Sequence, residues 1–84
     1  METSLYSVEK FNDAFVKTTL DEIYNSLTEN GYNAINQLTG YIMSGDPGYI
    51  SSYQNARKKI VSIDRSTIIE FLLRKSLGDK WWSI

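Results

Sequence analysis

Two breaks decide how this chain can be folded. Asn30-Gly31 interrupts it once, and Ser44-Gly45-Asp46-Pro47-Gly48 interrupts it again, so that four of the five glycines fall between Gly31 and Gly48. Glycine takes the left-handed conformation that closes a helix, and proline is tolerated in a helix only at its first turn. The breaks therefore isolate short segments. If those segments carry apolar residues at helical spacing, the chain must be a set of short helices joined by tight turns.

They do. Thr19-Leu20-Asp21-Glu22 reads as a capping box, and Leu20, Ile23, Tyr24 and Leu27 follow at i, i+3, i+4 and i+7. A helix is predicted from near Thr19 to Asn30, with Gly31 as its left-handed cap. A second is predicted with Asn33 as N-cap and an end near Ser44, on the stripe Ile35, Leu38, Ile42 and Met43. Gly40 inside it costs about 1 kcal/mol relative to alanine, which close approach of another helix or backbone would offset. Asp46 caps a third helix with Pro47 at its first position, marked by Tyr49, Ile50, Tyr53, Ala56, Ile60 and Ile63. Asp64 caps a fourth, with Ile68, Ile69, Leu72 and Leu73 inward and Phe71 on a flank. Arg74 and Lys75 suit its C-terminal dipole, and Leu77-Gly78-Asp79 ends it.

The ends read differently. From Met1 to about Lys17 the apolar residues Leu5, Tyr6, Val8, Phe11, Phe15 and Val16 fit neither a long helix nor a clean strand, with a short strand or turn conceivable around Tyr6–Phe11. Residues 1–17 are expected to be a flexible arm and residues 18–84 a single helical domain. The tail Lys80-Trp81-Trp82-Ser83-Ile84 is apolar enough that it is expected to pack on the domain or on a partner.

Composition narrows the function. The 84 residues hold no cysteine and no histidine. Disulfides, thiolate metal sites and the usual neutral-pH general base are thereby excluded. A chain this short and without a covalent staple gains most simply from a partner subunit. The net charge of -1 argues against a dedicated nucleic-acid binder. No run approaches a membrane span, and the N-terminus lacks the pattern of a secretory signal, so a cytoplasmic protein is expected.

Candidate chemistry is sparse. Gly45-Asp46-Pro47-Gly48 lacks P-loop spacing and reads as a helix–helix turn. Asp21, Glu22 and Asp64 read as capping residues, and with Glu70 they show no acid/base spacing. Arg57-Lys58-Lys59 with Arg65, Arg74 and Lys75 could form a basic patch, on which a helix-turn-helix reading would use Arg57, Lys58, Lys59 and Arg65; a solvated helix face explains the run better, and a surface for an anionic protein or phosphopeptide is the remaining reading. Tyr24, Tyr32, Tyr41, Tyr49 and Tyr53 suit core and rim packing or a protein interface. No cofactor is expected.

From Leu20 to about Leu73 the chain resembles the IreB family of small regulatory phosphoproteins of Gram-positive bacteria. The matching residues are Ile23-Tyr24, Ser26-Leu27, Gly31-Tyr32-Asn33 and Ile35-Asn36-Gln37, then Gly40-Tyr41, Ser44-Gly45-Asp46-Pro47, Tyr49-Ile50, Asn55-Ala56-Arg57 and Arg65. The family usually has proline where this chain has Ala34. The resemblance implies a compact all-α bundle of about four short helices with a flexible N-terminal arm, assembled as a homodimer and without enzyme activity. It implies a substrate of a transmembrane Ser/Thr kinase and its cognate phosphatase, acting in cell-envelope stress or antibiotic-tolerance signalling on an unidentified downstream protein. Thr3, Ser4 and Ser7 are the phosphorylation candidates it implies. A shared surface would be made by Gly31, Tyr32, Asn33, Asn36, Gln37, Gly40, Tyr41, Ser44, Gly45, Asp46, Pro47, Tyr49, Asn55 and Arg57. The alternative is a small helix-turn-helix-like nucleic-acid-binding protein.

Overall fold

A computed structural model describes the backbone of residues 2–78 and the side chains of residues 13–78. Four α-helices make it up: α1 (Glu2–Glu29), α2 (Ala34–Ser44), α3 (Ala56–Val61) and α4 (Arg65–Leu77), with 3-10 turns at Pro47–Tyr49 and Tyr53–Asn55. No strand occurs among the described residues. The all-α bundle expected from the sequence is the fold.

The first helix is much longer than its capping box suggested. At 28 residues α1 rises about 42 Å, matching the 41 Å long dimension of the molecule. The capping box does not form, because Thr19 lies buried in mid-helix. Tertiary contact outweighs the local cap. Val16 sits seven residues before Ile23 on the same stripe and is 1% exposed, and Asp13 is tied to Arg74. Burying a valine yields about 1.5 kcal/mol or more against about 1 kcal/mol for a cap. The folded part therefore reaches back at least to Asp13, into the segment expected as an arm, and the backbone around Tyr6–Phe11 is helical.

Gly31 ends α1 as expected, at φ +81°. The Tyr32 amide donates to the Leu27 carbonyl at 2.9 Å and the Gly31 amide to Thr28 at 3.0 Å, the paired bonds of a Schellman cap. The second helix also starts where it was expected, since Asn33 Oδ1 accepts the Asn36 amide at 3.0 Å.

The third helix is shorter than the apolar pattern predicted. Asp46 caps only the 3-10 turn at Pro47–Tyr49, and Gln54 and Asn55 (φ +50° and +63°) break the chain before α3 begins at Ala56. Long-range hydrogen bonds replace those of a continuous helix. Gln37 Oε1 accepts the Ser51 amide at 2.9 Å, and Arg57 Nε donates to the Ile50 carbonyl at 2.9 Å. They hold the backbone at Ile50–Ser51 out of a helix while Ile50, Ala56 and Ile60 are all fully buried.

In α4 the inward face is also different. Ile68 and Phe71 are buried, whereas Ile69, Leu72, Leu73 and Leu77 are exposed. Apolar residues at 68, 69, 71, 72 and 73 spread over about 200° of the helix, too wide for one face, and leave two registers open. The larger ring of Phe71 and the reach of Arg74 to Asp13, both on one face at i and i+3, select the observed one. The core then comprises Val16, Ile23 and Leu27 of α1, Ala34 and Tyr41 of α2, Ile50, Ala56, Ile60, Ile63, Ile68 and Phe71. Trp81 and Trp82 lie outside the described residues.

Candidate functional site

Most of the polar residues that make the central segment distinctive are occupied in building it. Asn33 caps α2 and Gln37 holds Ser51. Ser44 Oγ donates to the Gly40 carbonyl at 2.7 Å and accepts the Asp46 amide at 3.0 Å. The Gly45 amide donates to the Tyr41 carbonyl at 2.7 Å with Gly45 at φ +77°, and Asp46 Oδ1 accepts the Gly48 amide at 2.8 Å. Pro47 starts the 3-10 turn and Arg57 ties Ile50. Tyr41 is buried at 5% exposure, while Tyr32, Asn36, Pro47, Tyr49 and Asn55 remain exposed.

Gly40 has a reason within the chain. A Cβ added there would lie 2.9 Å from Tyr49 Cε1, so the Tyr49 ring occupies the space the glycine leaves. An aromatic side chain from the next turn, rather than another helix or backbone, makes the close approach.

The carboxylates and cations are similarly engaged. Asp21 pairs with Lys17 at 2.9 Å and Glu22 with Lys59 at 3.4 Å, both in mid-helix rather than capping. Asp64 occupies the N-cap position of α4 without a side-chain cap bond. Arg65 Nη1 donates to the Ile42 carbonyl at 2.9 Å, placing a cation at the C-terminal end of α2, whose own last turn has no basic residue. Of the basic set Arg57, Lys58, Lys59 and Arg65, three are thus held by the fold itself. Among the described residues no cluster of three or more acidic groups could hold a metal ion, and Gly45–Gly48 closes α2 and opens the 3-10 turn at Pro47.

Thr3, Ser4 and Ser7 have their backbones in the first two turns of α1. The first described tether along that helix is Asp13, whose Oδ2 and Oδ1 accept from Arg74 Nη1 and Nη2 at 2.7 and 2.8 Å. The Arg74 hydrogen bonds hold the Asp13 carboxyl below the usual carboxylate range; partial burial opposes them, and the charges of Arg74 and Lys75 reinforce them. Sequence reasoning missed this pair because 61 residues separate its members.

A groove of about 390 Å³ opens between α1, α2 and α4. Leu20, Tyr24, Ile35, Leu38, Ile42 and Leu72 line it; the stripe expected on α2 thus lies along this groove at Ile35, Leu38 and Ile42, Met43 is exposed instead, and Ala34 and Tyr41 are the α2 residues that enter the core. No helix among the described residues is long and apolar enough to cross a membrane.

Short helices stitched by side-chain hydrogen bonds define a small all-α protein. The profile of the IreB regulatory phosphoprotein family matches residues 1–78, and the chain belongs to that family. It is also similar to a UPF0297 protein of Lachnoclostridium phytofermentans, 46% identical over 71 residues that make up 84% of this chain and 81% of the relative.

Proposed function

We propose that this protein is a non-enzymatic, cytoplasmic phosphoprotein regulated by a transmembrane Ser/Thr kinase and its cognate phosphatase in cell-envelope stress or antibiotic-tolerance signalling. Phosphate is taken on Thr3, Ser4 or Ser7, and the output is a changed interaction with a downstream protein. The observation that carries this reading is the family match across residues 1–78, which includes the hydroxyl-bearing start of α1. Each phosphate brings a charge of about -1.5 to -2, enough to redirect a local contact. Intact-mass analysis after incubation with a wall-sensing Ser/Thr kinase and ATP is expected to show added phosphate. Thr3→Ala, Ser4→Ala and Ser7→Ala together should abolish it, and undiminished labelling of that triple variant would refute the assignment.

The homodimer belongs to this reading. The groove and the exposed Ile35, Leu72 and Leu73 give an apolar face that a second copy would cover. Light scattering should give twice the chain mass at micromolar concentration; a monomer mass throughout would exclude the dimer. The nucleic-acid alternative is the weaker one, because Arg57, Lys59 and Arg65 already bind groups of the fold.

A further inference from the structure

We propose that the apolar groove between α1, α2 and α4 is the seat of this chain's own C-terminal segment, with Trp81 and Trp82 lying in it. Residues 79–84 lie outside the described residues. The chemistry of the groove, the way α4 ends and the distance to be spanned point them there.

The groove suits an indole. Its volume of about 390 Å³ lies within the range of pockets that enclose a small organic group. Leu20, Leu38 and Ile42, which pack on the core, give it an apolar lining, and Ile35 and Leu72 line it while remaining exposed. Asp21 and Thr39 also line it and offer oxygen acceptors. A buried tryptophan needs both things, apolar cover for the ring and an acceptor for its N–H. The segment Lys80-Trp81-Trp82-Ser83-Ile84 holds both tryptophans of the chain, and left in water they would form a contiguous apolar patch.

The path is short. Gly78 closes α4 in the left-handed conformation, φ +76° and ψ +21°, with its amide on the Arg74 carbonyl. Such a cap ends the helix and turns the chain away from its axis. Back along α4, Leu72 stands about 9 Å from Gly78 and Ile68 about 15 Å. Extended chain spans about 3.3–3.6 Å per residue, so Trp81 reaches about 10 Å from Gly78 and Trp82 about 14 Å. The two rings thereby come level with Leu72 and Ile68, two of the α4 residues that line the groove. A link this short holds the rings at an effective concentration on the order of millimolar, which favours the groove of the same molecule over that of a second copy at micromolar protein. A second copy would close over the seated segment, and seating itself needs no partner. Neither the phosphorylation nor the dimer is required for it.

Fluorescence of the full chain tests the seat, because Trp81 and Trp82 are its only tryptophans. Native emission is expected to be blue-shifted from that of the urea-unfolded chain and several-fold less quenched by acrylamide, and both are expected to hold on dilution through the micromolar range. Leu72→Glu on the α4 wall, and separately Ile35→Glu on the α2 wall, should shift the emission toward the unfolded value and restore quenching, with far-UV circular dichroism unchanged. Met43→Glu, on α2 but not in the groove lining, should leave emission and quenching as in the wild type. Should Leu72→Glu unfold the chain, Ile35→Glu decides, since Ile35 is among the exposed residues. Native emission equal to that of the unfolded chain would overturn the seat, as would a blue shift that the folded groove variants leave intact. A blue shift lost on dilution would assign the tryptophans to a second copy and overturn it as well.

Discussion

Phe71→Ala is expected to destabilise the protein by about 3–5 kcal/mol, whereas Leu73→Ala two residues on should cost under about 1 kcal/mol. Phe71 is 4% exposed and belongs to the buried core beside residues of α1, while Leu73 is 54% exposed. Removing the ring leaves a cavity that short helices joined by fixed turns can close only in part. A domain of this length has a total stability of about 4–12 kcal/mol, so the Phe71 variant should be near unfolding at ambient temperature. Denaturant midpoints measured at low micromolar protein would check the contrast. Equal losses for the two variants would mean that α4 presents the other register. A Leu73→Ala cost that grows with protein concentration would instead place Leu73 in contact with a second copy.

That contrast shows which parts of the fold were legible in sequence. Some caps and stops were, because each of these is decided within four or five residues. Asn33 capping α2, Gly31 and Gly45 at positive φ, and Asp46-Pro47 opening the next turn all follow from local chemistry. The register of α4 was not, because its apolar residues spread over more than one face and a residue 61 positions away helps fix the choice. The start of α1 was misplaced for the same reason: the capping box at Thr19 competes with the burial of Val16 and the grip on Asp13, and sequence shows only the first. The break before α3 depends on Gln37 accepting an amide fourteen residues distant and Arg57 donating to a carbonyl seven residues distant. The central motif itself was visible; its polar residues are mostly exposed, and many of them also tie the turns together, which the sequence alone does not show. The groove between α1, α2 and α4 requires three helices to be placed before it exists.

Gly45→Ala is expected to cost about 2 kcal/mol and Gly31→Ala about 1 kcal/mol, and the difference should vanish when Arg65 is absent. Both glycines have positive φ, +77° and +81°, so alanine meets a similar backbone penalty at each. Their surroundings differ. Nothing lies within 4 Å of a Cβ added at Gly31, whereas one added at Gly45 would stand 2.8 Å from the Arg65 guanidinium carbon. The guanidinium can swing aside, but only by releasing the Ile42 carbonyl that it holds at 2.9 Å. An exposed charge-assisted hydrogen bond of this kind contributes about 1 kcal/mol. In an Arg65→Ala background that bond is already gone, so Gly45→Ala should fall to the backbone penalty alone. Thermal or denaturant unfolding of the three single variants and the Gly45→Ala/Arg65→Ala double variant would measure this. Full additivity would show that Arg65 does not act on the end of α2. The expected coupling would identify Arg65 as the side chain that locks α4 to the C-terminal end of α2.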